Sequence, residues 1–83
     1  MTDYIYNIYN KLSNNQTVAL PGICMSRGYE LRLTDGTVVI DKITDGTTGA
    51  HYRMEALKNG CLGNRIHKAL RLIDEDRQLD FWG

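Results

Sequence analysis

Cys24, His51, Cys61 and His67 are the only thiols and imidazoles in the chain. A thiolate beside an imidazole makes a nucleophile with its base, and four such side chains can hold zinc. Their spacing supports neither. Structural zinc sites show short paired spacings, whereas these residues are scattered, and Cys61 and His67 stand six apart, off a single helical face. No local signature of nucleophilic catalysis surrounds any of them. The expectation is therefore a protein with no catalytic residue, no metal and no cofactor, in which the cysteines act as small buried hydrophobes. Two cysteines make no disulfide framework, and free thiols in a cytoplasmic protein fit them better than a single bridge.

A second candidate is the quartet Thr-Asp-Gly-Thr, which occurs at Thr34–Thr37 and again at Thr44–Thr47. An oxygen-ligand loop for calcium needs carboxylates or carbonyls at alternate positions and a closing Glu. Val39 interrupts that pattern after Asp35 and Thr37, so the loop reading fails. Asp-Gly between runs of β-branched residues instead signals a hairpin, because both central residues of a type I′ turn need positive φ. The two copies are read as successive turns at opposite ends of a β-meander.

Charge is the third. Ten basic and ten acidic residues cancel, so bulk charge points to neither nucleic acid nor membrane. The distribution is uneven, however. Arg53, Lys58, Arg65, Lys68 and Arg71 face only Glu55 between His51 and Arg71, and the last three basic residues are spaced by three, an exposed stripe able to meet phosphates. The sign then flips at Asp74, Glu75 and Asp76, with Asp80 beyond. Acids closing a helix oppose its macrodipole, and a local conflict of that kind can mark a function. Phe81 and Trp82, the chain's only Phe and Trp, follow at once. Such aromatics either anchor a partner or cap a thin core.

These residues need elements to hold them. Ile5, Ile8, Tyr9 and Leu12 fall at i, i+3, i+4 and i+7, the stripe of an amphipathic helix ended by Ser13-Asn14-Asn15, with Tyr4 and Tyr6 at its rim. Thr17–Leu20 is a short strand closed by Pro21-Gly22. Tyr29, Leu31 and Leu33 alternate with Glu30 and Arg32, the pattern of an antiparallel strand covered on one side. Thr37–Thr44 is the next strand. Beyond the second turn, Gly49–Met54 reads as one more short strand, or Ala50–Gly60 as the start of a helix broken at Asn59-Gly60. Ile66, Ala69, Leu70 and Ile73 mark a C-terminal helix, with Asn64 as its capping residue.

The expected fold is a single α+β domain over residues 1–83, in the order α-β-β-β-α, with an antiparallel meander packed on one face by an N-terminal and a C-terminal helix. That order is similar to the double-stranded-RNA-binding domain, although "LGNRIHKAL" offers only Arg65 and Lys68 where that family has consecutive lysines. In style, a short motif-poor chain also resembles phage and mobile-element accessory proteins, among them inhibitors of bacterial defence systems.

The function expected from these readings is a non-enzymatic interaction protein that binds another macromolecule as an inhibitor, adaptor or regulator, through Asp74, Glu75, Asp76, Asp80, Phe81 and Trp82. The alternative is a nucleic-acid-binding module using Arg53, Lys58, Arg65, Lys68 and Arg71. A protein or nucleoprotein is the expected partner, a homodimer is compatible with an open sheet edge, and no run of apolar residues approaches the ~20 that cross a bilayer.

Overall fold

A computed structural model describes the backbone of residues 2–23 and 27–82, and the side chains of all of these except Thr2, Phe81 and Trp82. The elements are α1 (Thr2–Ser13), β1 (Val18–Pro21), β2 (Gly28–Thr34), β3 (Thr37–Asp45), β4 (Ala50–Leu57) and α2 (Leu62–Trp82). The four strands form one antiparallel sheet in the order β1-β2-β3-β4, and both helices pack on the same face of it. The expected α+β meander is present, with a fourth strand. Ala50–Leu57 is that strand rather than a helix, and it departs from the three-strand order of the double-stranded-RNA-binding domain.

The local reasons are readable. Helix α1 ends because Asn15 takes a positive φ of 60°. The Gln16 and Asn15 amides then turn back to the Lys11 and Leu12 carbonyls at 2.8 and 3.1 Å, the pairing of a Schellman cap. Between β2 and β3 the paired residues Thr34 and Thr37 leave a two-residue loop, in which Asp35 and Gly36 have φ of 51° and 75°, as a type I′ turn requires. The second Thr-Asp-Gly-Thr makes a different turn. Asp45 pairs with Ala50 across four residues, Gly49 takes the positive φ, and the Asp45 carboxylate accepts the Thr47 amide at 2.9 Å. Both copies are turns, at opposite ends of β3. The same four letters adopt two geometries because the strands they join end at different registers.

Alternation sorts the strands into two faces. Tyr29, Leu31, Val38, Ile40 and Leu57 turn toward the helices, where they meet Ile8 and Leu12 from α1 and Ile66, Ala69 and Ile73 from α2. The other face is closed by charge instead of by a further layer. Asp41 is 3% exposed there, gripped by Arg32 at 2.6 Å and approached by Arg53 at 3.9 Å from the flanking strands. Val39, buried on the same face, sits directly opposite Arg32. Two register shifts interrupt β3 against β4: Met54 is extra on β4, and Thr44 is extra on β3. Such bulges sharpen the twist of the edge.

Helix α2 starts two residues before the expected Asn64 cap, with the Arg65 amide donating to the Cys61 carbonyl at 3.1 Å. It also continues past Asp74, Glu75 and Asp76 to Trp82, so those acids sit inside the helix and do not oppose its C-terminal dipole. The backbone therefore makes no return over the core, and the Phe81 and Trp82 side chains lie outside the described residues.

Gly28 fixes how closely β1 and β2 approach. A Cβ there would stand 2.8 Å from the Leu20 carbonyl oxygen, which is backbone and cannot swing away. Gly28→Ala is expected to destabilise the protein by about 1–3 kcal/mol, read as a lower urea midpoint, with Gly36→Ala as a comparison in which the strain is conformational only.

Candidate functional site

A part-buried polar cluster comes from two facing stripes. On β3, Lys42 continues the inward phase of Val38 and Ile40. On α2, Asp76 and Asp80 continue the inward stripe of Ile66, Ala69 and Ile73 at helical spacing. Where the two stripes meet, apolar pairing gives way to an ion triad. The Lys42 ammonium lies 2.7 Å from the Asp76 carboxylate and 3.0 Å from that of Asp80. Tyr29, opposite Lys42 on β2, donates its hydroxyl to Asp76 at 2.6 Å. The Arg77 guanidinium sits 5.6 Å from the centre of the Tyr29 ring and donates to the Pro21 carbonyl at 2.6 and 2.9 Å and to Asp74 at 3.0 Å.

This network sets the protonation states. Burial alone would raise the Asp76 pKa, but hydrogen bonds from Lys42 and Tyr29 outweigh it and hold the carboxyl below its ordinary value. Burial alone would lower Lys42, and the two carboxylates reverse that and raise it. Tyr29 is raised by burial first and then by its bond to Asp76. All three groups are thus fixed in the state that holds α2 on the sheet.

The predicted docking acids consequently divide. Asp76 and Asp80 are spent on Lys42 and do not belong to an exposed acidic patch. Asp74 is exposed and paired with Arg77, and Glu75 is exposed. The predicted basic set divides too. Arg53 lies on the far face of the sheet beside Asp41. Arg65 is turned toward the β2–β3 hairpin, where it donates to the Gly36 carbonyl, while Lys58 sits in the turn before α2. Lys68 and Arg71 remain exposed on the outward side of α2. A spacing of three residues turns about 60° at each step, so from Arg65 to Arg71 the stripe winds about a third of the way round the helix. The five cations form no single surface. Cys61 is a free, exposed thiol rather than a buried hydrophobe, and Cys24 lies outside the described residues. Among the described residues no group of three His, Cys, Asp or Glu side chains is placed to hold a metal ion.

The helical layer carries a feature that the sequence presented only as a rim. A groove of about 660 Å³ runs between α1 and α2, with Ile5 and Leu70 beside Tyr4, Tyr6 and Tyr9 on one wall and His67, Arg71 and Asp74 on the other. The tyrosines are 50%, 63% and 42% exposed. Three large aromatics of one helix thus stand half in water beside a partly apolar floor. The Arg71 guanidinium makes no ion pair among the described residues, whereas the Asp74 carboxylate is met by Arg77.

The ion triad gives a pH dependence with a definite sign. A depressed Asp76 contributes stability that is present above about pH 4 and is lost as pH falls through its lower folded value. Raised Lys42 and Tyr29 contribute stability that is present below about pH 10 and is lost as pH rises beyond it. Urea unfolding at a series of pH values is expected to show a plateau between those limits, with the acid limb shallower in Asp76→Asn. Lys42→Ala leaves two facing carboxylates without their cation and is expected to cost about 3 kcal/mol at neutral pH.

No protein-family model, no curated protein and no solved structure matches this chain.

Proposed function

We propose that this is a non-enzymatic interaction protein that acts by docking another macromolecule, as an inhibitor, adaptor or regulator, and that the docking face is the α1–α2 groove. The observation that carries the reading is the placement of Tyr4, Tyr6 and Tyr9, half exposed along one groove of the helical layer. Tyrosine brings a large rigid contact area and a polar tip, and it is enriched at protein interfaces. On the facing wall His67, Arg71 and Asp74 are polar and exposed. Aromatic contact area beside polar groups is the composition of a recognition surface.

The polar groups that do lie within reach of one another support the same reading. Lys42, Asp76, Asp80, Tyr29 and Arg77 bind each other and the Pro21 carbonyl, which engages them in holding the fold. Compared with the acidic and aromatic tail expected from sequence, the docking face moves to α1, and of the four acids only Asp74 lines it. The small, motif-poor character of the chain makes phage or mobile-element accessory proteins the context in which to seek the partner. No described helix is long and apolar enough to cross a membrane.

The test is affinity capture with the full chain from a nuclease-treated lysate of the native host, followed by titration of the recovered partner in purified form. Tyr4→Ser/Tyr6→Ser/Tyr9→Ser is expected to weaken that complex at least ~10-fold while its thermal melt stays close to that of the unaltered chain. Undiminished binding by the triple variant would refute the groove as the docking face. Loss of capture on nuclease treatment alone would transfer the reading to nucleic acid.

A further inference from the structure

The chain has six asparagines, and Asn59 alone among them is followed by glycine. An asparagine carboxamide is a weak electrophile, which the backbone amide of the next residue can attack to close a five-membered imide. Attack needs a next residue with no side chain in the way, an amide not already given to a hydrogen bond, and room for the ring. The other five asparagines lack these. Asn7 and Asn10 lie inside α1, where the following amides belong to the helical ladder. The amides after Asn14, Asn15 and Asn64 donate to the carbonyls of Leu12, Lys11 and Cys61 at 3.1, 2.8 and 3.1 Å. Every one of the five precedes a residue with a side chain.

Asn59-Gly60 differs on each count. Both residues are exposed in the turn between β4 and α2, and the Gly60 amide donates to no carbonyl among the described residues. Gly60 has a φ of 89°, and a Cβ built there would meet nothing within 4 Å. The two Asp-Gly pairs are poorer sites, because a carboxylate is an anion and resists attack. Asp45 is further engaged by the Thr47 amide at 2.9 Å, and Asp35-Gly36 is locked in the two-residue turn between β2 and β3.

We propose that Asn59 is a covalent modification site, at which the chain converts its own asparagine to an aspartyl or isoaspartyl residue. The Gly60 nitrogen bonds to the Asn59 side-chain carbonyl carbon, the bond from that carbon to Nδ2 breaks, and ammonia leaves with the amide proton. Water then opens the imide. Opening on the side-chain side restores the ordinary backbone, with a carboxylate in place of the carboxamide. Opening on the main-chain side leaves the chain running through the β-carbon. Water is the only co-reactant, and nothing is oxidised or reduced.

The position gives the reaction a consequence. Eleven acids against ten bases replace ten against ten, so the formal charge moves from 0 to −1. The new charge falls between Lys58 and the start of α2, whose first turn carries no acid of its own. A negative group beside that end suits the partial positive charge of its free amides. The isoaspartyl form adds a methylene to the short connection between Leu57 and Leu62, and so loosens the joint through which α2 is held to β4.

The test incubates the full chain in mildly alkaline buffer, folded in one sample and unfolded by urea in another, and maps its peptides by mass spectrometry. A gain of ~1 Da at position 59 is expected, in two products that chromatography separates. The folded chain should react within ~10-fold of the unfolded rate, since an exposed turn opens at little cost. Isoelectric focusing should show an acidic form accumulating in the unaltered chain and not in Asn59→Gln, whose longer side chain has to close a six-membered ring. Asn59 is exposed, so that variant should keep the melting temperature of the unaltered chain. A folded chain more than ~10-fold slower than the unfolded one overturns the proposal, because the turn then withholds the geometry of attack. So does an acidic form that persists in Asn59→Gln, or a faster gain at another asparagine.

Discussion

The ammonium of Lys42, held between Asp76 and Asp80, is the constraint from which the rest of the helical layer takes its position. Apolar burial under Ile66, Ala69 and Ile73 brings α2 onto the sheet, but such contacts tolerate some rotation and sliding. A cation with only 10% of its side chain exposed does not, because any displacement leaves charge buried without its partner. Two carboxylates one turn apart define both the rotation of α2 and its position along β3. Tyr29 adds a third element to the same point, and Arg77 ties the helix to the end of β1. The side of α2 that faces outward, and therefore the wall of the tyrosine groove, follows from this inward pinning.

The order of elements and most of the core were legible in the sequence. Alternation in Tyr29–Leu33 and helical spacing in Ile5–Leu12 and Ile66–Ile73 report burial directly, and Asp35-Gly36 reports a turn whose backbone only a few residues accept. Ala50–Leu57 was ambiguous for a physical reason. As an edge strand it buries little: only Leu57 is fully buried, and its bulge at Met54 breaks the period of two that would have announced it. The C-terminal helix runs longer than its sequence suggests, because its acids resemble a stop. They continue the inward stripe.

The same acids show why the site was harder to read than the fold. In a sequence, charge reads as exposure, which groups Asp74, Glu75, Asp76 and Asp80 by sign rather than by phase. Sorting them by helical phase separates Asp76 and Asp80, in line with Ile73, from Asp74 and Glu75. The matching signal, a lysine in phase with Val38 and Ile40, was present on β3 as well. The tyrosines of α1 offer less, since a residue beside an apolar stripe either caps the core or stands away from it, and only the placement of α2 decides which. For the basic residues, spacing along the chain concealed a division in space, because β4 turns Arg53 to the far side of the sheet.

The extra residue on β4 has a consequence for how the molecule meets its own kind. An incoming strand needs an even row of amides and carbonyls to pair with, at a constant repeat along its length. The interruption at Met54 offsets the two halves of this edge, so a straight strand can match one of them and not the other. Edges of this shape make poor templates for stacking one sheet onto the next. The irregularity that hides β4 from periodicity thus works against open-ended fibre growth at that edge.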